Sequence, residues 1–217
     1  MKKQQQAGFT IIELMIATLV FSVILLIITA GIISLTNQYY KGVTSSNTQS
    51  VARSVMDTIT QDIQFSSGTL TPPRTSSNNA VQYFCTGNNM YTYKLGFQLK
   101  DGVGLAADQT NSALVTSPVV GGSCPSPATV TGFPTSGTHR ELLNPGMRVA
   151  NLNITPGASS NSWTVEIRLA SGDSDLLNNP QPVNPNNPAT QTSCRSGSGS
   201  QFCAVSELTT TVEERLQ

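Results

Sequence analysis

The feature that most constrains this chain is an unbroken apolar run near its N-terminus. Residues 9–35 contain a single charged residue, Glu13, and no further charge follows until Lys41. As a helix, the charge-free stretch at residues 14–35 would be about 33 Å long, which is enough to cross the hydrocarbon core of a bilayer. The run therefore predicts a membrane-spanning segment.

The residues that flank this run predict its orientation and its kind. Lys2 and Lys3 precede it, so the positive-inside rule places the N-terminus in the cytoplasm and the rest of the chain outside. A signal peptide would have a shorter apolar core and a small-residue cleavage site after it, and no A-x-A motif follows here. A plain single-pass anchor fits the length, but it leaves the carboxylate of Glu13 unexplained, because a charge in a spanning helix is costly unless it is paired.

The segment GFTIIEL, residues 8–14, resembles the class III leader of type IV prepilins. In that family a membrane aspartyl peptidase cuts after the glycine and N-methylates the new first residue. The resemblance implies a leader at residues 1–8, a cut between Gly8 and Phe9, and N-methylation of Phe9.

The resemblance also implies a role in subunit assembly for Phe9 and Glu13. After the cut, Phe9 would carry a positive amine that the carboxylate of Glu13 in a neighbouring subunit pairs with inside the apolar filament core. An unpaired buried carboxylate is costly, so the pair would favour one axial stagger between subunits. The alternative is a single-pass anchor in which Glu13 stands by chance.

The helical pattern continues beyond the apolar run. Val51, Val55, Ile59 and Ile63 recur at four-residue spacing and predict an apolar stripe. We expect one helix from about Phe9 to about Phe65, ended by the Ser-Ser-Gly and Pro-Pro signals that follow. Its expected parts are a membrane and filament-core half at residues 9–35 and an amphipathic half at residues 36–67.

The rest of the chain, residues 68–217, is predicted to be an extracytoplasmic β-rich head. Expected strands cover residues 81–86, 90–100, 147–154, 162–170 and 202–212, and the first two are expected to form a hairpin. In the fourth strand, Trp163, Val165, Ile167 and Leu169 are expected to face inward, and Thr164, Glu166 and Arg168 outward. Residues 68–79, 121–137 and 172–200 are expected to be loops. The predicted class is α+β, and the resemblance implies the pilin fold, with the long helix packed on an antiparallel sheet.

The four cysteines form an even set, which in an exported head favours two disulfides. Cys85, Cys124, Cys194 and Cys203 allow three connectivities. The pair Cys194–Cys203 is favoured because it closes a short Ser/Gly loop, and Cys85–Cys124 follows; pilin heads, by the resemblance, often carry a disulfide near the C-terminus. A zinc site is not favoured, because no C-x-x-C occurs.

Composition and motifs point away from several other functions. Twelve basic and 12 acidic residues give no net charge, which argues against nucleic-acid binding by bulk electrostatics. Residues 101–107 superficially match a dinucleotide-binding pattern without its strand–turn–helix context. Residues 172–179 offer oxygens for Ca²⁺ but lack EF-hand spacing. His139, Arg140 and Glu141 are expected to be surface residues. We therefore predict no enzyme, no cofactor and no metal.

The predicted function is a structural subunit of a type IV pilus or related filament. The segments VARSVMDTITQDIQFSSG, with Asp62 near the helix end, and TTTVEERLQ loosely resemble PilW-type minor pilins and J-type pseudopilins. The implied partners are prepilin peptidase, other pilin or pseudopilin subunits and an inner-membrane assembly platform. The implied location is the cytoplasmic membrane first, then an extracellular pilus or periplasmic pseudopilus. The alternatives are a pseudopilin of a type II secretion system and a membrane-anchored extracellular binding protein.

Overall fold

A computed structural model describes residues 8–65, 70–100, 105–119, 121–135, 137–159, 161–181, 187 and 190–215. One long helix, α1 (Ile11–Phe65), comes first, and antiparallel β-sheets follow, which confirms the predicted α+β class. The chain divides into two compact units, Met1–Tyr40 and Lys41–Gln217. The predicted stop signal at residues 66–68 lies outside the described residues.

In the first unit, α1 is predominantly apolar and contains Glu13 as its one charged residue. Among the described residues it is the one helix whose length and composition suit a membrane span, and its apolar 18-residue stretch has a mean hydropathy of 2.9. It begins at Ile11, two residues after the predicted start, because Gly8, Phe9 and Thr10 precede the first helical turn.

In the second unit, the remainder of α1 contributes one side of the core. Val55, Ile59 and Ile63 of the predicted stripe are buried and Val51 is half-buried; Thr48, Ala52 and Met56 are buried beside them. Side chains of both larger sheets complete this core, among them Phe84, Tyr91, Val165 and Ile167. The four-residue stripe is therefore confirmed as the packing face.

In the part of the head that the structure describes, twelve strands follow the helix: β1 (Leu70–Thr75), β2 (Gln82–Thr86), β3 (Asn89–Tyr93), β4 (Gln98–Leu99), β5 (Gln109–Thr110), β6 (Leu114–Pro118), β7 (Arg140–Glu141), β8 (Met147–Pro156), β9 (Ser162–Ser171), β10 (Leu177–Asn178), β11 (Ser193–Cys194) and β12 (Ala204–Glu213). One sheet has the order β1-β2-β3-β6-β7, and a second has the order β12-β9-β8. The pairs β4-β5 and β10-β11 stand apart. The predicted β2-β3 hairpin and the β8-β9 pair are confirmed.

The predicted strand at residues 90–100 is interrupted, because β3 covers its first half and β4 only Gln98–Leu99 near its end. The strand ends at Tyr93, and Gly96 turns the chain with a φ of +75°. A Cβ at Gly96 would lie 2.4 Å from the Cα of Gln181, so only glycine fits this close approach. The alternation of apolar residues in the sequence continues through this turn and so does not reveal it. Beyond Tyr93, Leu95 pairs with Val149 of β8.

Two predicted loops contain short strands. Residues 70–75 form β1 although Pro72 and Pro73 lie within it; its register with β2 shifts between Thr71 and Arg74. An edge strand with an irregularity tolerates proline because no ladder N–H is required there. In the region 172–200, the backbone of β10 pairs with that of β11. The described residues of 121–137 contain no strand.

The expected outward orientation of Arg168 is also corrected. Arg168 is 6% exposed and bonds to Glu207 across the β9-β12 pair. The chain after β9 folds back over this face, where Ala170 packs with Leu177 and Cys203. The end of β9 at residues 168–170 is therefore covered on both faces, which the alternation of β9 alone does not show, whereas Thr164 and Glu166 stay half-exposed. Trp163 is half-buried rather than buried.

Candidate functional site at the N-terminus

The residues that resemble a cleavage site precede the helix in an open position. Residues 1–7, which include most of the expected leader, lie outside the described residues. Gly8 is exposed, and a Cβ added to it would meet no atom within 4 Å. The side chain of Phe9 is 85% exposed. Packing within the described chain therefore places no demand on either residue.

Thr10 and Glu13 form a capping box at the start of α1. The backbone N–H of Thr10 donates to Oε2 of Glu13 at 2.9 Å, and its hydroxyl donates to the same oxygen at 2.8 Å. In return, the N–H of Glu13 donates to Oγ1 of Thr10 at 3.4 Å. This reciprocal arrangement satisfies N–H groups that a helix start leaves unpaired. The T-x-x-E pattern before an apolar run is a sequence signal for such a cap, and the interpretation of Glu13 as a pairing residue passed over it.

The capping box leaves part of the Glu13 carboxylate available. Both donations from Thr10 end on Oε2, and no described residue donates to Oε1. An ionised carboxylate accepts about four hydrogen bonds. Glu13 is exposed, so it can hold its own helix start and still accept a donor from another molecule.

The apolar surface of α1 covers its whole circumference. The large apolar side chains at most positions from Phe9 to Leu35 are exposed, many by more than half, among them Ile11, Leu14, Leu19, Leu26, Ile32 and Leu35. A helix that is apolar on all sides requires a membrane or a protein environment. This segment is therefore built for lipid, for other helices, or for both in turn.

Hydroxyl groups within this surface are satisfied by their own helix. Ser22, Thr29 and Thr36 each donate to the carbonyl four residues earlier, at 2.7 to 2.9 Å, and Thr18 donates to the carbonyl of Met15 at 3.0 Å. A polar group left unpaired in lipid costs several kcal/mol, and this arrangement removes that cost.

The head contains two disulfides. Cys85 is bonded to Cys124, with a Cα–Cα distance of 5.8 Å, and Cys194 to Cys203, also at 5.8 Å. Disulfides persist in oxidising compartments. They agree with a head that lies outside the cytoplasm.

Glu141, expected on the surface with His139 and Arg140, is instead half-buried and accepts structural hydrogen bonds. The Glu141 carboxylate accepts backbone N–H groups of Ala113, Leu114 and Leu143 at 2.9 to 3.2 Å. Burial raises the pKa of Glu141 above its ordinary value, and these hydrogen bonds oppose that rise. His139 and Arg140 are exposed beside it. The carboxylate thus joins β7 to the start of β6.

The loop considered for Ca²⁺ directs its oxygens toward donors of the protein. The Gly172 carbonyl accepts from Nη2 of Arg148 at 3.1 Å and from Nε2 of Gln98 at 3.3 Å, and Oδ1 of Asp173 also accepts from Gln98. The described residues contain no group of three or more His, Cys, Asp or Glu that could hold a metal ion. The dinucleotide-like pattern falls partly on residues 101–104, outside the described residues.

Arg148 is a buried cation that sequence reasoning missed. Its side chain is fully buried on β8; Nη1 donates to the Gly96 carbonyl at 2.9 Å and lies 3.9 Å from Oδ2 of Asp108. Burial lowers the pKa of Arg148, and the carboxylates of Asp108 and Asp173 oppose that shift. Arg148 therefore fastens three loops to one strand, and nothing in the strand's alternation marks it as buried.

Comparison with known families identifies the N-terminal segment alone. Residues 3–29 match the family model of the prokaryotic N-terminal methylation motif, a type IV pilin-like leader. No curated protein and no solved structure matches the chain. The matched motif is typical of the leaders of type IV pilin-like and pseudopilin proteins. The match includes Gly8, Phe9 and Glu13 and does not reach the head.

Proposed function

We propose that this chain is a minor pilin, a structural subunit of a type IV pilus. The observation that carries the proposal is the match to the methylation motif over residues 3–29, joined to an apolar helix whose surface is exposed on all sides. The role is structural, since an exposed apolar helix supports assembly rather than catalysis. The head would support pilus assembly, adhesion, motility or DNA uptake.

The first step is removal of the leader at residues 1–8. Prepilin peptidase would cut between Gly8 and Phe9 and methylate the new amine of Phe9. Gly8 is exposed and precedes the first helical turn, so a peptidase can reach the bond without unwinding α1. Gly8 has no side chain, and the space where a Cβ would lie is open in the described chain. The backbone at Gly8 is therefore free to enter a narrow site in the peptidase.

The second step is assembly through Phe9 and Glu13. The cut gives Phe9 a positive amine, and Oε1 of Glu13 in a neighbouring subunit would accept a hydrogen bond from it. Because Thr10 already holds Oε2, the carboxylate is oriented before the neighbour arrives. An unpaired charge inside an apolar bundle is costly. The pair would therefore favour the one axial stagger that brings the amine and the carboxylate together.

Before assembly, the subunit would be held in the cytoplasmic membrane by residues 9–35, with the amphipathic half at residues 36–67 and the head at residues 68–217 outside. Transfer into the filament would require an inner-membrane assembly platform. The same motif and helix would also serve a pseudopilus of a type II secretion system, and deletion of the gene separates the two. Loss of surface pili supports a pilin, whereas loss of protein secretion with normal pili overturns that assignment.

Intact-mass spectrometry of the protein purified from its native membrane tests the proposal. We expect the mass of residues 9–217 plus one methyl group, minus four hydrogens for the two disulfides. A full-length mass would overturn the proposal and favour a permanently anchored binding protein. Glu13 would then be dispensable for its location.

A further inference from the structure

A groove of 490 Å³ lies where the start of the head-packed part of α1 meets the Cys194–Cys203 loop. Two cations line it, Lys41 from the helix and Arg195 from the loop. Three hydroxyl residues, Ser45, Ser196 and Ser200, line it as well, and none of its lining residues is acidic.

The two cations are not consumed by the fold. Among the described residues, the ion pairs are Arg148–Asp108 and Arg168–Glu207, and neither includes Lys41 or Arg195. Both residues are exposed. Two like charges that share a groove repel each other, so an anion placed between them gains from both. Hydroxyls and cations in one groove match the acceptor oxygens of a phosphate group.

The loop that carries Arg195 is held in place. Cys194 is bonded to Cys203, and Cys203 is buried against Ala150, Ala170 and Leu177. The backbone N–H of Arg195 also donates to the Leu176 carbonyl at 2.8 Å. The groove is therefore formed in advance, which reduces the loss of conformational freedom on binding.

Lys41, one of the two groove cations, closely follows the apolar run in the sequence. Lys41 follows Leu35 by six residues, a length of chain that reaches at most about 20 Å even when fully extended. Tyr39 and Tyr40 immediately precede it, and tyrosines are enriched at the level of lipid headgroups. Cations are disfavoured just beyond a span on the translocated side. An anionic group near Lys41 would offset its positive charge there.

We propose that this groove binds the phosphate of an anionic phospholipid headgroup in the outer leaflet while the subunit resides in the membrane. Lys41 and Arg195 would donate charge-assisted hydrogen bonds to the phosphate oxygens, and the serine hydroxyls would complete the shell. The inference rests on the membrane residence in the proposed function, but not on cleavage or filament formation. It assigns the disulfide loop a role in holding the head at the lipid surface.

The test uses the full chain in nanodiscs made of equal amounts of phosphatidylglycerol and phosphatidylcholine. Native mass spectrometry of the released protein counts the lipids that each variant retains. We expect wild type to retain phosphatidylglycerol in preference to phosphatidylcholine. Lys41→Gln and Arg195→Gln should each lower that preference about fivefold. Arg53→Gln, which removes an exposed cation of α1 outside the groove, should leave it unchanged.

Three outcomes would overturn the proposal. They are equal retention of the two lipids by wild type, an unchanged preference in both groove variants, and a loss in Arg53→Gln as large as theirs. Displacement of the retained lipid by millimolar inorganic phosphate would show a general phosphate site and overturn the lipid assignment. An unprocessed chain keeps residues 9–35, so failure of the cleavage proposal leaves this test intact.

Discussion

The hydroxyl of Tyr91 donates a 2.5 Å hydrogen bond to Oδ2 of Asp62, which joins the last turns of α1 to strand β3. The side-chain amide of Asn89 donates to the same oxygen at 2.7 Å. Tyr91 is fully buried and stacks on Phe84 with ring centroids 4.8 Å apart. One half-buried carboxylate thus fixes the position of the helix over the sheet.

Replacing Asp62 should destabilise the head more than replacing its partner. Asp62→Ala removes the acceptor shared by the buried Tyr91 hydroxyl and the Asn89 amide, and we expect a loss of about 2–3 kcal/mol in the free energy of unfolding. Tyr91→Phe removes the donor and leaves Asn89 on the carboxylate, so it should cost about 1 kcal/mol. Urea unfolding of the full chain in micelles, followed by fluorescence of Trp163, measures both. The exposed residue Asp57 provides the control, and an equal loss in Asp57→Ala would contradict the prediction.

The buried tyrosines should make the head sensitive to alkali. Burial raises the pKa of Tyr93; burial, and then the hydrogen bond and charge of Asp62, raise the pKa of Tyr91. An unfolded tyrosine loses its proton near pH 10, so the unfolded state binds fewer protons above that pH. Stability is therefore fully present below about pH 10 and falls as pH rises, by about 1.4 kcal/mol per pH unit for each tyrosine. Between about pH 9 and pH 11, the stability of Tyr93→Phe should fall less steeply with pH than that of wild type. An unchanged slope would contradict the prediction.

The two disulfides should contribute unequally to stability. Cys85 and Cys124 are 39 residues apart, whereas Cys194 and Cys203 are nine apart. By the chain-entropy model, the longer closure stabilises by about 4 kcal/mol and the shorter by about 2.5 kcal/mol. Denaturation of the two paired Cys→Ser variants measures the difference. If the Cys194/Cys203 variant lost more stability than the Cys85/Cys124 variant, the entropic explanation would be rejected.

The charge and the capping role of Glu13 can be separated by three variants. Glu13→Ala removes both, and Glu13→Gln keeps an oxygen for the Thr10 N–H but removes the charge. Thr10→Ala removes the two hydroxyl bonds of the cap and keeps the charge. We expect normal processing in all three, at least a tenfold loss of incorporation into sheared filaments for both Glu13 variants, and a cost of about 1 kcal/mol in capping for Thr10→Ala. Incorporation of Glu13→Gln at the wild-type level would refute the charge pairing.

Gly8→Ala should block cleavage without altering the fold. The added Cβ meets nothing in the described chain, so any effect arises in the peptidase. Gly31→Ala is the matched control, because its Cβ also meets no atom within 4 Å. Intact mass should show a retained leader in the first variant and normal processing in the second. Normal processing of Gly8→Ala would contradict the assignment of the cleavage site to the bond after Gly8.

Local patterns in the sequence predict the parts of the fold that depend on neighbouring residues. The long helix follows from the apolar run and the four-residue stripe, and the β8-β9 pair follows from alternation on either side of a turn. Long-range contacts were not predictable in this way. Asp62 bonds to residues 27 and 29 positions away, and Arg148 to a carbonyl 52 positions earlier.

In the candidate site, too, residues close together in the sequence were predictable and residues far apart were not. Gly8, Phe9 and Glu13 are recognisable because they occur in one short segment with a strong pattern. The capping partner Thr10 was equally visible and was missed, because the carboxylate was considered only for pairing between subunits. The groove of Lys41 and Arg195 unites residues more than 150 positions apart, which a linear pattern does not bring together.

The hydroxyls of Thr18, Ser22, Thr29 and Thr36 bond within their own helix, and this bears on reversibility. Moving such a helix from lipid into a bundle of like helices exchanges one apolar contact surface for another and leaves its hydrogen bonds unchanged. The return journey is equally neutral for these groups. In the proposed pilin, this helix would therefore pass from membrane to filament and back with the same internal hydrogen bonds, so the subunit would be reusable.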